Sequence, residues 1–150
     1  MISKTPTLFR YLLIPAWIGI IYWFSDQPNS NETTLELFGS FNYFVRKLAH
    51  MSEYAILFLL FYWAIAPRAL PQNNHEEKEV NFNSRGIWIA IALTVLSAAG
   101  DEWHQSFVKG RSALFSDVVI DTAGASIAAV ILRVSSRIRN TISKSKNSSS

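Results

Sequence analysis

Four blocks of apolar residues, separated by polar connectors, constrain this chain more than any other feature. They cover about residues 8–24, 47–66, 86–107 and 115–134. Each is close to or above the roughly 17–20 residues that a helix needs to cross a bilayer. A soluble bundle would need a polar face on every helix, yet residues 56–66 and 87–99 are apolar all round. We therefore predict an all-α membrane protein, a bundle of four transmembrane helices.

The composition agrees with that class and limits the chemistry. Of 150 residues, 49% are hydrophobic and 17% charged, against about 25% charged in soluble domains. There is no cysteine, which excludes disulfides and thiolate sites. A basic tail beside an apolar helix indicates anionic lipid rather than nucleic acid. We predict one four-helix domain over residues 1–140 and a disordered Ser-rich tail over 141–150.

The distribution of basic residues predicts the orientation. The N-terminus, the connector at 68–85 and the C-terminal tail together hold ten of the 14 lysines and arginines. Such an excess marks cytoplasmic segments, so both termini are expected to be cytoplasmic in a multi-pass protein of the inner (plasma) membrane. The connectors at 26–47 and 106–114 then face outward. No small-residue cleavage pattern follows Tyr22 and Trp23, so the first block is interpreted as an uncleaved helix.

The first connector has an amphipathic second half. Thr33 and Glu36 have the spacing of a capping box, and apolar residues then recur at roughly helical spacing up to Val45. This pattern favours a helix lying on the membrane surface. Gly39 interrupts the pattern, and a plain loop is the alternative.

Three blocks place ionisable residues at one depth. With a rise of about 1.5 Å per residue, Glu53 and Asp121 lie about 9 Å below the outer boundary. Asp101, approached from the other side of a core of about 30 Å, reaches the same layer. Charges are costly on a lipid-facing surface, so these helix faces are expected to point at one another. Small residues from Gly124 to Ala128 permit close helix approach.

The candidate site contains ten residues. They are His50, Glu53, Tyr54, Asp101, Glu102, His104, Gln105, Arg111, Asp117 and Asp121. Imidazole and carboxylate groups can bind a divalent metal, for which His50, Asp101 and His104 are candidates, or perform acid–base chemistry. Arg111, beside Arg46 and Lys47, can hold a phosphate or carboxylate of a headgroup. The residues identify no cofactor, no reaction class and no oligomeric state.

Each of these residues also has a purely structural interpretation. Asp117 can complement a helix N-terminus, and Glu102, which faces away from Asp101, can simply be solvated. Arg111 can extend its side chain to the interface. His50 and Glu53 can clamp two helices together for about 1 kcal/mol. The cluster as a whole can be an ion network that only holds helices together.

Three linked motifs resemble those of the VanZ-like membrane protein family. They are Arg46-Lys47-x-Ala49-His50-x-x-Glu53-Tyr54, Asp101-Glu102-x-His104-Gln105-x-Phe107-Val108-x-Gly110-Arg111 and Asp117-Val118-x-Ile120-Asp121-x-x-Gly124. The resemblance covers about residues 44–129. It departs at Lys109, where the family usually has proline, and at Met51, where an aromatic is usual. The founding member is associated with low-level resistance to teicoplanin, an acylated glycopeptide, so the resemblance implies a cell-envelope role and a possible link to antibiotic resistance.

Three functions follow as hypotheses. The first is binding of membrane lipid, a lipoglycopeptide or a peptidoglycan precursor at an outward-facing polar site. The second is an intramembrane enzyme acting on an envelope lipid intermediate, with Asp101, His104 and His50 as acid–base or metal groups. The third is a structural subunit of a membrane complex.

Overall fold

The computed structural model describes residues 7–28, 30–65, 84–111 and 114–147. Within these ranges the chain is entirely helical, apart from short turns. The elements are α1 (Thr7–Ser25), α2 (Ser30–Phe38), a 3₁₀ turn (Gly39–Phe41), α3 (Asn42–Ile65), α4 (Ser84–Gln105) and α5 (Phe115–Asn147). The expected all-α class is confirmed. Most of the polar connector predicted at 68–85 lies outside the described residues.

Helix α3 occupies the centre of the bundle. It packs against α1, α2, α4 and α5, and α4 also contacts α1 and α5. The core is apolar and aromatic, with Tyr54, Leu57 and Phe58 fully buried on one face of α3. These residues recur at the spacing that places them on a single helix face. Because α3 packs against all the other helices, the polar side chains in its first turns are held in fixed positions relative to those helices.

Small residues let α5 approach α3 closely, as the sequence predicts. Gly124 lies directly against the backbone carbonyl of Met51, and a Cβ atom at this position would overlap it. Ala125 and Ala128 on the same helix are buried. Close backbone contact at small residues is a common way for membrane helices to associate. It brings the first turns of α5 alongside His50.

The amphipathic connector is helical rather than a plain loop. Helix α2 begins at Ser30, three residues before the predicted capping box at Thr33 and Glu36, so the capping-box prediction is wrong. Gly39 interrupts the helix as expected, with a φ of +53° that a residue without a Cβ adopts easily. Helix α5 continues as far as Asn147, through residues 141–147, for which the sequence predicts a disordered tail.

Within the part of the chain that the structure describes, two helical stretches are long and apolar enough to cross a membrane. They are Glu32–Ile65 and Phe115–Ile142, and Phe9–Ser25 is a shorter apolar helix. Many large apolar side chains on the outside of the bundle are exposed, Trp88 and Leu96 among them. Contiguous exposed apolar surface is unusual for a soluble monomer.

Candidate functional site

The polar residues predicted to converge lie together at one end of the bundle. This polar cluster is formed by the end of α1, the first three turns of α3, the end of α4, the loop after it and the start of α5. The loop begins with a tight turn in which the amide of Arg111 donates to the carbonyl of Val108 at 3.1 Å. Gly110, with a φ of +80°, supplies the positive φ that a type II turn requires at this position.

Asp101 is fully buried and is hydrogen-bonded through one of its two carboxylate oxygens. This oxygen accepts hydrogen bonds from Ser25 Oγ and Gln105 Nε2, both at 2.8 Å. Gln105 also donates to Ser25 Oγ at 3.1 Å. Hydrogen bonds to a charged group in a low-dielectric interior are stronger than neutral ones. This network joins the end of α1 to α4.

Glu102 holds the loop after α4. Its side chain is buried, and Oε2 accepts a hydrogen bond from the backbone amide of Leu114 at 3.0 Å. Leu114 directly precedes α5, so this bond fixes the point at which α5 begins. The alternative in which Glu102 is simply solvated is therefore wrong, because its side chain is buried and accepts a hydrogen bond from the residue that precedes α5.

Asp117 pairs with a cation on the central helix. Lys47 Nζ donates to Asp117 Oδ1, and the hydroxyl of Ser116 lies 3.2 Å from the same oxygen. Asp117 stands in the first turn of α5, where a negative charge also complements the helix dipole. It therefore does more than complement a helix terminus: it ties α5 to α3.

Asp121 has different surroundings. Its side chain has no exposed surface, and neither oxygen has a hydrogen-bond partner within the described part of the chain. Nδ1 of His50 lies 3.6 Å from Asp121 Oδ1, which is longer than a hydrogen bond. His50 and Asp121 are called the unbonded pair below. A buried polar group without a partner is costly, so it is a candidate for a functional role.

A cavity of about 310 Å³ opens beside this pair. It is lined by Phe24, Ser25, Gln27, Thr34, Arg46, Ala49, His50, Glu53 and Arg111. We call it the guanidinium cavity because two arginines face it. Arg46 Nη1 and Arg111 Nε are both buried, and neither donates a hydrogen bond to any residue that the structure describes.

The two guanidinium groups are close enough to influence each other. Burial is the main cause that lowers the pKa of Arg111, and the neighbouring charge of Arg46 lowers it further. Arg111 is anchored by a hydrogen bond of 2.5 Å from one Nη to the carbonyl of Phe24 at the end of α1. Two like charges held at one cavity are stabilised by a bound anion.

His104 lies apart from the rest of the predicted site. Its ring packs against Tyr22 with centroids 5.3 Å apart, and Nε2 is 3.5 Å from Asp26. His104 therefore faces the end of α1, where its side chain is 39% exposed, and not His50. Among the described residues, no three histidine or carboxylate groups could hold one metal ion. The set of His50, Asp101 and His104 thus does not form a metal site in this structure.

Sequence reasoning missed two residues that the structure places in the cluster. Ser25, which is buried against Asp101, follows an apolar block and carries no periodic signal. Sequence reasoning places Arg46 beside Arg111 but does not include it among the site residues. Its spacing to His50 and Glu53 is i, i+4, i+7, which places all three on one helix face and would have assigned it to the cavity.

The fold and the site define an all-helical protein with a buried polar cluster at one end of its bundle. The family model described as VanZ/LLP1 matches residues 4–136. The chain belongs to this family, as its motifs indicate. Family membership and the two long apolar helices together indicate a membrane protein. Neither the curated proteins nor the solved structures contain a match to it.

Proposed function

We propose that α1, α3, α4 and α5 cross the membrane, with both termini cytoplasmic and the polar cluster near the outer face. The four helices contain 19, 24, 22 and 33 residues, and about 20 suffice to span the hydrocarbon core. The distribution of basic residues supports this orientation. In this orientation, the guanidinium cavity lies close to the depth of the lipid headgroups.

We propose further that the guanidinium cavity binds the anionic headgroup of an envelope amphiphile. Candidate ligands are a lipid, a lipid-linked peptidoglycan precursor or a lipoglycopeptide such as teicoplanin. The observation that carries the proposal is the pair Arg46 and Arg111, each with a buried nitrogen that has no partner in the described chain. A guanidinium group matches phosphate and carboxylate with parallel hydrogen bonds.

The other residues of the cavity fit an amphiphilic ligand. Glu53 and His50 line the cavity and can accept hydrogen bonds from hydroxyl, amide or ammonium groups near the ligand's anion. Lys47 is already paired with Asp117, so Arg46 and Arg111 remain the principal cations for a ligand. The general link of the family to glycopeptide resistance agrees with a ligand from the cell envelope.

Binding in nanodiscs tests this proposal. The probes are a polyprenyl phosphate, teicoplanin and a neutral polyprenol, titrated against wild type, Arg46→Gln, Arg111→Gln and the control Lys109→Gln. Lys109 is an exposed cation in the same loop as Arg111. Lys109→Gln therefore measures only the effect of removing one positive charge from the loop. We expect one of the two anionic probes to bind, and each arginine variant to weaken that binding by about tenfold or more.

Equal affinity of all four proteins for the anionic probes would contradict the proposal. So would binding of the neutral polyprenol as tight as that of its phosphate. If neither anionic probe binds and a second membrane protein co-purifies in stoichiometric amount, the cluster belongs to a structural subunit instead.

A second candidate function is proton transfer to a bound lipid intermediate. The observation that favours it is the unbonded pair, since His50 lines the cavity and Asp121 stands behind it at 3.6 Å. A carboxylate behind an imidazole orients the ring and supports acid–base catalysis. His104 has no part in this mechanism because it faces Tyr22. Recovery of chemically altered ligand from wild type, but not from His50→Gln, would establish an enzyme.

A further inference from the structure

Two further cavities lie at the opposite end of the bundle from the polar cluster. The larger lies between α4 and α5 and has a volume of about 430 Å³. Its walls are mainly apolar and include Ile87, Trp88, Ile91 and Val130. We call it the α4–α5 groove. None of these side chains belongs to the polar cluster.

A smaller basic cavity adjoins this groove. It has a volume of about 150 Å³ and is lined by Arg133, Ser136, Arg137 and Asn140. Arg133 lines both cavities, so the two spaces are neighbours and two arginines lie beside one end of the groove.

The depth of Arg133 matches a bilayer boundary. Arg133 follows Phe115, the first residue of α5, by 18 positions, which corresponds to about 27 Å along the helix. A hydrocarbon core is about 30 Å thick, so Arg133 lies near the face opposite to the polar cluster. Trp88 is 70% exposed at this end of the groove, and tryptophan is enriched at membrane interfaces. Ser84, the first residue of α4, also lines the groove and brings the positive end of a helix dipole there.

We propose that these cavities form a binding site for one anionic phospholipid of the leaflet opposite to the polar cluster. An acyl chain lies in the α4–α5 groove, and the phosphate lies between Arg133 and Arg137. This assignment does not depend on which ligand occupies the guanidinium cavity.

Charge complementarity favours a lipid over a second copy of the chain. The end of the groove is basic, and Arg139 adds further positive charge to the same helix. A second copy that docked through this surface would bring the same cations toward it, which is unfavourable. An anionic phospholipid neutralises the arginines and fills the apolar groove with a chain.

Lipid-dependent thermal stability in detergent tests the site. The full-length protein is titrated with dioleoylphosphatidylglycerol, with dioleoylphosphatidylethanolamine and with inorganic phosphate. We expect phosphatidylglycerol to raise the Tm in a saturable manner, because a ligand that binds only the folded state stabilises it. Half-maximal stabilisation should require about ten times more lipid in Arg133→Gln and in Arg137→Gln. Arg139→Gln, an exposed cation that lines neither cavity, should behave as wild type.

A second pair of variants tests the groove without changing charge. Val130→Trp fills the groove from an exposed position, whereas Ile127→Trp places the same side chain on exposed surface outside it. Only Val130→Trp should reduce stabilisation by phosphatidylglycerol. Equal stabilisation by phosphatidylethanolamine, or equal responses of both tryptophan variants, would overturn the proposal. Stabilisation by inorganic phosphate alone would show a soluble-anion site instead of a lipid site.

Discussion

Asp101 and Asp121 are two fully buried carboxylates in one polar cluster, yet their surroundings are opposite. Asp101 accepts hydrogen bonds from Ser25 and Gln105. Asp121 accepts none from the described chain and faces His50 at a distance too long for a hydrogen bond. A carboxylate with two donors on one of its oxygens, one of them from another helix, holds helices together. One whose lone pairs are unused costs stability and is retained for another purpose, which here we propose to be ligand binding or proton transfer.

Separating α3 from α5 should lower the free energy of unfolding the most. Their close approach also sets the position of the unbonded pair. In Gly124→Val the added side chain would meet the backbone of Met51. We expect a loss of about 3 kcal/mol in the free energy of unfolding, or failure to fold. Chemical denaturation in detergent measures it.

Gly19→Ala is the matched control, since nothing lies within 4 Å of a Cβ atom at that position. It should leave stability unchanged or slightly higher. If Gly124→Val is as stable as Gly19→Ala, the close contact that places Asp121 beside His50 does not exist.

Removing the hydrogen-bonded carboxylate of Asp101 should cause the next largest loss of stability. Asp101→Ala leaves the buried donors of Ser25 and Gln105 without their acceptor, at a cost of about 2 kcal/mol. A double-mutant cycle with Ser25→Ala should give a coupling energy of about 1 kcal/mol. Additive effects of the two substitutions would show that the hydrogen bond between α1 and α4 contributes nothing.

The hydrogen bond between Glu102 and the amide of Leu114 should contribute less than those of Asp101. Glu102→Ala should cost about 1 kcal/mol because the amide of Leu114 loses its acceptor. Glu102→Gln keeps an acceptor oxygen and should recover most of that stability. Thermal unfolding of the two variants side by side measures the difference. Equal losses in both would mean that the charge of Glu102 matters and its hydrogen bond does not.

The pair of Lys47 and Asp117 should contribute least. Both side chains are mostly buried, 16% and 10% exposed, but Asp117 keeps the Ser116 hydroxyl and the N-terminus of α5 as partners when Lys47 is removed. Lys47→Gln should therefore lower the free energy of unfolding by only about 1 kcal/mol, measured by chemical denaturation in detergent. A double-mutant cycle with Asp117→Asn that gives no coupling energy would argue against an ion pair.

The sequence predicts the convergence of the cluster well, because depth along a helix depends only on the number of residues. Counting from the ends of the blocks places Glu53, Asp101 and Asp121 in one layer, and the structure brings the residues around them together. The family and the helical class also follow from the sequence alone.

The neighbouring helix that a side chain faces is harder to predict than its depth along its own helix. His104 shares a helix face with Asp101 by its spacing, and both contact the end of α1, but His104 packs against Tyr22 and does not face His50. Glu102 accepts a hydrogen bond from the amide of Leu114, a contact that helix periodicity does not predict. Ser25 has no sequence signal, since its partner lies 76 residues away.

The stability of Asp101→Asn and Asp121→Asn, measured side by side with wild type in detergent, tests the central claim most directly. Asp101→Asn keeps one acceptor oxygen but replaces a charged acceptor with a neutral one, so the hydrogen bonds from Ser25 and Gln105 weaken and the Tm should fall. Asp121→Asn removes a buried carboxylate that has no hydrogen bond to lose, so its Tm should equal or exceed that of wild type. Equal destabilisation by both substitutions would contradict the account and make the whole cluster a device for holding helices together.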